Sequence, residues 1–290
     1  LQASTRGRTV ALLGARAGLG VTTLATNLAL LMQEALGVLP PMNDAPRRGV
    51  ALLDLGLPPR DGLLYMDTQS DFSFVDGVRN LRRLDHTLVQ AAVARHDSGT
   101  AVLPLPSSLS QVREISHADS AAFIERLGDF FDFQIADLGG FTTIDFIAQT
   151  VAAADRTWVV CDQSIGAIVS TANLLRELTE RGLETQTFGL VVNKFDPSVP
   201  LRGRDIAARL RLPLAHMLPM RRSALLAAGS RGEMLARASR NDPLVVAIQG
   251  MAKALQRDFL GAAALPRASA SPWNSFMAQL TGKRKSAKGD

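Results

Sequence analysis

The chain of 290 residues holds a single cysteine, Cys161, so no internal disulfide can form and a reducing compartment suits it. No stretch approaches the ~18 consecutive apolar residues that a membrane span needs. The N-terminus lacks the pattern of a signal peptide, so the expected location is cytoplasmic. The histidines His86, His96, His117 and His216 have no metal-ligand spacing among themselves or with Cys161, which points to scattered structural roles. A starting methionine is also missing: Leu1 comes first, and the expectation is a segment of a longer protein with a domain upstream. What is present is 47% hydrophobic and 20% charged residues, ordinary for a soluble globular protein with a real core.

The net charge of +5 is unevenly spread. Residues 1–201 sum to −6, residues 202–240 to +7 with nine arginines, and residues 263–290 to +4. The arginines, from Arg202 to Arg240, admit three readings: a solvated face, a docking surface for an acidic partner, or a non-specific DNA surface. Few aromatics interleave with them, which disfavours recognition of single strands by stacking.

The most informative stretch is Gly14 to Thr23, GARAGLGVTT, between the apolar run Thr9-Val10-Ala11-Leu12-Leu13 and a helix-like segment beginning at Val21. A strand that passes through a glycine-rich turn into a helix N-terminus binds phosphate, because backbone N–H groups converge there and the helix dipole favours an anion. The strict pattern G-x-x-x-x-G-K-[ST] fails at two places: Ala15 occupies the first glycine position and Val21 the lysine position.

Short apolar runs alternate with helical periodicity along the rest of the chain. Strands are predicted over 9–13, 50–54, 100–104, 133–137, 157–161, 187–193 and 214–218. Helices are predicted over 21–35, 86–96, 110–131 with a break at 116–120, 142–153, 165–181, 206–210 and 243–260, and residues 56–74 read as irregular. This βαβα order predicts an α/β fold: a doubly wound, mostly parallel sheet with helices on both faces. Two strands end in carboxylates, Asp54 and Asp137, at the sheet edge where ligands of such folds bind. The nucleotide-binding domain is expected over 1–262, followed by a linker and tail over 263–290.

The segments GARAGLGVTTLATNLAL, ALLDLGLPPRDG, FDFQIADLGG, VVNKF and HMLPM resemble, in order and spacing, the deviant-Walker P-loop ATPases of the ParA/MinD superfamily. Within it the chain looks most like the TadZ/CpaE family of pilus-assembly localisation proteins, on Val-Thr-Thr after the last loop glycine, the long segment from Arg83 to Pro104, and Ala136-Asp137-Leu138-Gly139. Members of that family often carry an upstream receiver-like domain. The resemblance implies ATP and Mg²⁺ as cofactors, a homodimer that sandwiches nucleotide, and partners such as a secretion ATPase of the pilus machine.

Residue by residue, the resemblance gives Arg16 the place of the lysine that reaches the partner's phosphates, and the loop Ala17, Gly18, Leu19, Gly20 and Val21 the phosphate cradle. Thr22 becomes the Mg²⁺ ligand and Thr23 an α-phosphate contact. Asp54 matches the switch I aspartate and Asp137 the acid that holds the magnesium water shell, so both are expected catalytic and metal-site residues. Asn193 and Pro219 match the adenine-facing positions. Two departures weigh against hydrolysis. Val21 removes a charge-assisted bond worth ~1.5–3 kcal/mol. Gly56 stands where the superfamily has a second aspartate that positions the attacking water.

The expected function is an ATP-binding, weakly or non-hydrolysing localisation and assembly factor for a Tad (type IVb) pilus machine. The alternatives are an active positioning ATPase and a DNA-binding partition protein. For the loop itself, a purely structural strand-to-helix corner is the competing reading, and Asp54 and Asp137 could instead cap helix N-termini. Beyond Gly261, Trp273, Phe276, Met277 and Leu280 share one helical face ahead of the basic KRKSAK run. Residues 273–288 therefore read as a peripheral membrane contact at the inner membrane or cell pole, as a peptide that docks on a partner, or as an inert tail.

Overall fold

The computed structural model describes residues 6–38, 47–140 and 143–260. The predicted tail face at 273–288 and the predicted helix start at 142 lie outside them. Among the described residues eight strands form one sheet: β1 (Arg8–Gly14), β2 (Val50–Asp54), β3 (Ala94–Arg95), β4 (Ala101–Pro104), β5 (Phe133–Gly139), β6 (Arg156–Cys161), β7 (Gly189–Phe195) and β8 (Leu214–Pro219). Their order is β3-β4-β2-β5-β1-β6-β7-β8. Every pairing is parallel except β3 with β4. Strands buried on both faces need continuous apolar runs rather than alternation. Val10 to Leu13 in β1 and Leu190 to Val192 in β7 accordingly have no exposed surface.

The helices are α1 (Val21–Gly37), α2 (Asp61–Tyr65), α3 (Phe74–Arg79), α4 (His86–Ala92), α5 (His117–Leu127), α6 (Ile144–Ala152), α7 (Ile165–Glu180), α8 (Gly203–Leu210), α9 (Arg222–Gly229), α10 (Leu235–Ala238) and α11 (Pro243–Leu260). A right-handed crossover places α1, which carries the chain from β1 to β2, on one face of the sheet. The crossovers that run the other way through α5, α6, α7 and α8 fall on the opposite face. α11 packs on α1 and β8. Phe74 of α3 meets Phe123 of α5 and Phe146 of α6 edge to face, with ring centroids 5.2 and 6.0 Å apart. The doubly wound, mostly parallel sheet is the one that the alternation predicts.

Some local expectations are corrected. The helix predicted over 86–96 stops at Ala92, because Val93 is extended and Gly99, at φ 88°, turns the chain into the β3–β4 hairpin. The helix predicted over 110–131 is a 3₁₀ segment, Leu109–Glu114, followed by α5, which Ser116 caps by accepting from Asp119 N at 2.9 Å. Residues 56–74 are not wholly irregular, since α2 lies within them. The unpredicted α3 starts at a capping box of Ser73 and Asp76 that was there to be seen in S-F-V-D. α9 and α10 are likewise not predicted by the sequence, in which residues 222–238 stand out only for their charge.

Candidate functional site

β1 leaves the C-terminal edge of the sheet toward one face while its neighbours β5 and β6 leave toward the other, and the crevice between such loops is where doubly wound sheets take ligands. A cleft of about 490 Å³ opens there. The structure brings Arg16, Ala17, Gly18, Leu19, Gly20, Val21, Thr22, Thr23, Asn193 and Pro219 together in its lining. Asp54 and Asp137 are not among them. They lie directly behind, paired in register where β2 ends and two residues before β5 does, at 1% and 0% exposure.

The loop owes its shape to two glycines in the left-handed region, Gly18 at φ 83° and Gly20 at φ 81°. Gly20 is the N-cap of α1 and offers no side chain to the first helical N–H groups, so their donors stay free for an anion. Val21 turns inward: a Cβ added to Gly14 would come within 2.6 Å of its Cγ2, and one added to Gly139 within 3.0 Å of its Cβ. The residue at the lysine position thus serves as packing between the ends of β1 and β5, with 3% of its surface exposed. Arg16 folds back toward α7, where a Cβ on Gly166 would run into its Nη1.

The carboxylate pair is electrostatically frustrated. Burial, then the charge of Asp137, pushes the Asp54 carboxyl up to about 8 despite the N–H of Gly62, which donates to its Oδ2 at 3.0 Å. Burial likewise raises Asp137 to about 6, opposed by the Thr22 hydroxyl and by Gly139 N–H, which donates to its Oδ1 at 2.9 Å. Asp54 Oδ1 and Asp137 Oδ2 have no hydrogen-bond partner among the described residues. Two buried carboxylates with orphaned oxygens beside a threonine hydroxyl suit a hydrated cation, which would supply the missing charge. No group of three His, Cys, Asp or Glu side chains placed to hold a metal occurs among the described residues, so an ion here would also need hydroxyl, phosphate or water oxygens. The helix-cap reading of Asp54 is met as well, since Gly62 belongs to the first turn of α2.

Sequence reasoning missed several lining residues. Lys194 sits in the cleft with its Nζ donating to Gly18 O, and it follows Asn193 in the very segment that carries the resemblance. Asp61, Arg221 and Arg222 also line the cleft, and Leu225, Leu244 and Ile248 make an apolar wall near Pro219. Arg221 is paired with Asp242, and the other lining cations, Arg16, Lys194 and Arg222, face one lining acid, Asp61, so the cleft stays cationic without a lysine at 21. Of the nine arginines in 202–240, Arg221 is committed to the buried Asp242, Arg240 to Glu34 and Arg231 to Glu233. Arg202, Arg204, Arg209 and Arg211 surround α8.

No protein-family model matches the chain, and no curated protein matches it. Solved structures do. A ParA family ATPase from Chlorobium tepidum TLS superposes with a TM-score of 0.75 at 18% identity, over 87% of this chain and 100% of that one. The septum site-determining protein MinD of Pyrococcus horikoshii OT3, complexed with Mg-ADP, gives 0.68 at 15% identity over 89% and 99%. A Cyanothece McdA variant in complex with ATP gives 0.62 at 16% identity over 91% and 99%. The fold and the glycine-loop cleft define the chain as a P-loop-type α/β protein. Its architecture is that of the ParA/MinD ATPases.

Proposed function

We propose that the chain binds ATP with Mg²⁺ in this cleft and hydrolyses it weakly or not at all, acting as a nucleotide-sandwich dimer that localises and assembles a Tad (type IVb) pilus machine. The observation that carries the nucleotide reading is the uncapped N-terminus of α1, behind two left-handed glycines and in front of two orphaned carboxylate oxygens. Thr22, Asp54 and Asp137 would hold the magnesium and its waters, and the ion would supply the charge that the buried pair lacks. Thr23 would meet the α-phosphate. The free acceptor of Asn193, Oδ1, suits an exocyclic amino group on the base, beside Pro219.

Weak turnover follows from Val21, which packs inward where a cation would face the β/γ-phosphates, and from Gly56, which has no carboxylate to place water. Dimerisation is supported by exposed apolar side chains near the cleft mouth, Tyr65 and Leu226, and by Ile165 next to the resting place of Arg16. The pilus role and a secretion-ATPase partner rest on the sequence resemblance. The division into a nucleotide-binding domain over 1–262 and a tail that docks at the inner membrane or pole rests on sequence too. An active positioning ATPase is the second reading, favoured by the structural likeness to ParA, MinD and McdA proteins.

Calorimetry with Mg-ATP, phosphate release and sedimentation on one preparation test this. Binding without turnover, with an ATP-dependent dimer that Arg16→Ala weakens, is the expected result. Brisk phosphate release would instead establish the positioning ATPase, and no affinity at all would leave a scaffold of the same fold.

A further inference from the structure

We propose that Asn193 and Lys194 form a clasp that holds the glycine-rich loop in its anion-accepting shape, as positioning residues for the phosphate site; this rests on the nucleotide reading above. Successive side chains of a regular strand point to opposite faces, so two neighbours at the end of β7 could not both reach the loop. Lys194 breaks that rule. It stands at φ 53°, a left-handed conformation that costs free energy for any residue with a Cβ. The pairing of β7 with β8 shifts register at the same place, between Val192 and Phe195. The kink brings both side chains to one side.

Their targets are consecutive. Asn193 Nδ2 donates to Leu19 O at 2.7 Å and Lys194 Nζ donates to Gly18 O. In a trans peptide the carbonyl and the N–H point in opposite directions. Drawing the Gly18 and Leu19 carbonyls toward β7 therefore turns the Leu19 and Gly20 N–H groups the other way, and the proposal assigns those two donors to the anion. The clasp also explains a sequence constraint: a Cβ at Gly20 would sit 2.8 Å from Asn193 Nδ2, so a side chain at 20 would push the clasp open. Asn193 is 8% exposed, and its amide nitrogen is already spent on the loop before any base arrives.

The clasp and base recognition by Asn193 make opposite predictions for a ligand with phosphates and no base. The full chain and its Asn193→Ala, Lys194→Met and Lys194→Arg variants are titrated with Mg-ATP and with inorganic tripolyphosphate. The clasp predicts that Lys194→Met weakens both ligands alike, by roughly tenfold, that Lys194→Arg restores most of the loss, and that Asn193→Ala weakens tripolyphosphate as well as ATP. Asn193→Ala weakening ATP with tripolyphosphate unchanged overturns the clasp in favour of base reading. Lys194→Met leaving both affinities unchanged also overturns it. Lys194 is half-buried, so its two variants test the proposal even where Asn193→Ala fails to fold. A wild-type chain that binds neither ligand sinks the nucleotide reading itself, an outcome distinct from either result on the variants.

Discussion

Restoring a lysine at position 21 tests the site most directly. Val21 is the first residue of α1, and its branched side chain fills the space between Gly14 and Gly139. In Val21→Lys the first methylenes of the new chain replace one methyl and leave the other place empty, a cost to stability of about 0.8 kcal/mol. Lysine regains a few tenths of a kcal/mol as the better helix former. This cost falls on free and bound protein alike, so it does not enter the affinity. The ammonium then gains a charge-assisted bond to phosphate worth about 1.5–3 kcal/mol, less roughly 0.5–1 kcal/mol for ordering its chain. About 1–2 kcal/mol remains, or roughly 5- to 30-fold tighter Mg-ATP binding. Calorimetry at fixed salt reads the affinity and thermal melting of the same samples reads the packing cost. A folded Val21→Lys variant with wild-type affinity would refute the placement of this residue at the phosphates. Phosphate release should stay near the wild-type level, because the lysine does nothing for the absent water-positioning carboxylate at 56.

Two further outcomes follow from the carboxylate pair. Asp54 and Asp137 have folded-state values raised above the ordinary 3.8, so the native chain holds protons that the unfolded chain has released, and ligand-free stability falls as pH rises from about 4 to about 8. Asp54→Asn should remove most of that slope, leaving the part due to Asp137, and raise stability at pH 8 by up to about 5 kcal/mol, read by urea melts across the pH range; an unchanged slope would show that the pair is not strained. Gly56→Asp, the apparent repair of the missing aspartate, should lower the melting temperature and yield no turnover. Its Cβ would lie 2.9 Å from Gly139 O and 3.2 Å from Asp137 Oδ1, where it crowds a third carboxyl against the buried pair. Phosphate release that rises with an unaltered melting curve would count against this.

The fold was legible because its strands are buried on both faces and so announce themselves as unbroken apolar runs, with Val50 to Asp54 and Phe133 to Asp137 placed to within two residues. The loop was legible too, since glycine punctuation reports a backbone requirement that sequence records directly. What escaped notice depends on three-dimensional closure. α2 has five residues, too few to show a period, and its importance lies in the bond from Gly62 to Asp54, eight positions earlier. Lys194 is unremarkable in sequence and acquires a role only because β7 ends beside a loop 176 residues away. The arginines of the C-terminal third looked like one surface, yet Arg221 and Arg240 are spent on internal partners. Charge counting has no means of seeing that.

Asn27, in the second turn of α1, ties two distant parts of the chain together. Its Nδ2 donates back to Thr23 O at 2.7 Å, and its Oδ1 accepts from the backbone of Ala236 in α10 at 2.9 Å. Near the other end of the same helix, Glu34 takes both terminal nitrogens of Arg240, at 2.7 and 2.8 Å. The helix that begins at the glycine loop is thus bolted at two points to the segment leading into α11. It cannot slide or rotate under a ligand's pull unless that segment moves with it or the bolts break. A change in the seating of α1 that leaves both ties intact must carry Ala236 and Arg240 with it, more than 200 residues along the chain from the helix they hold.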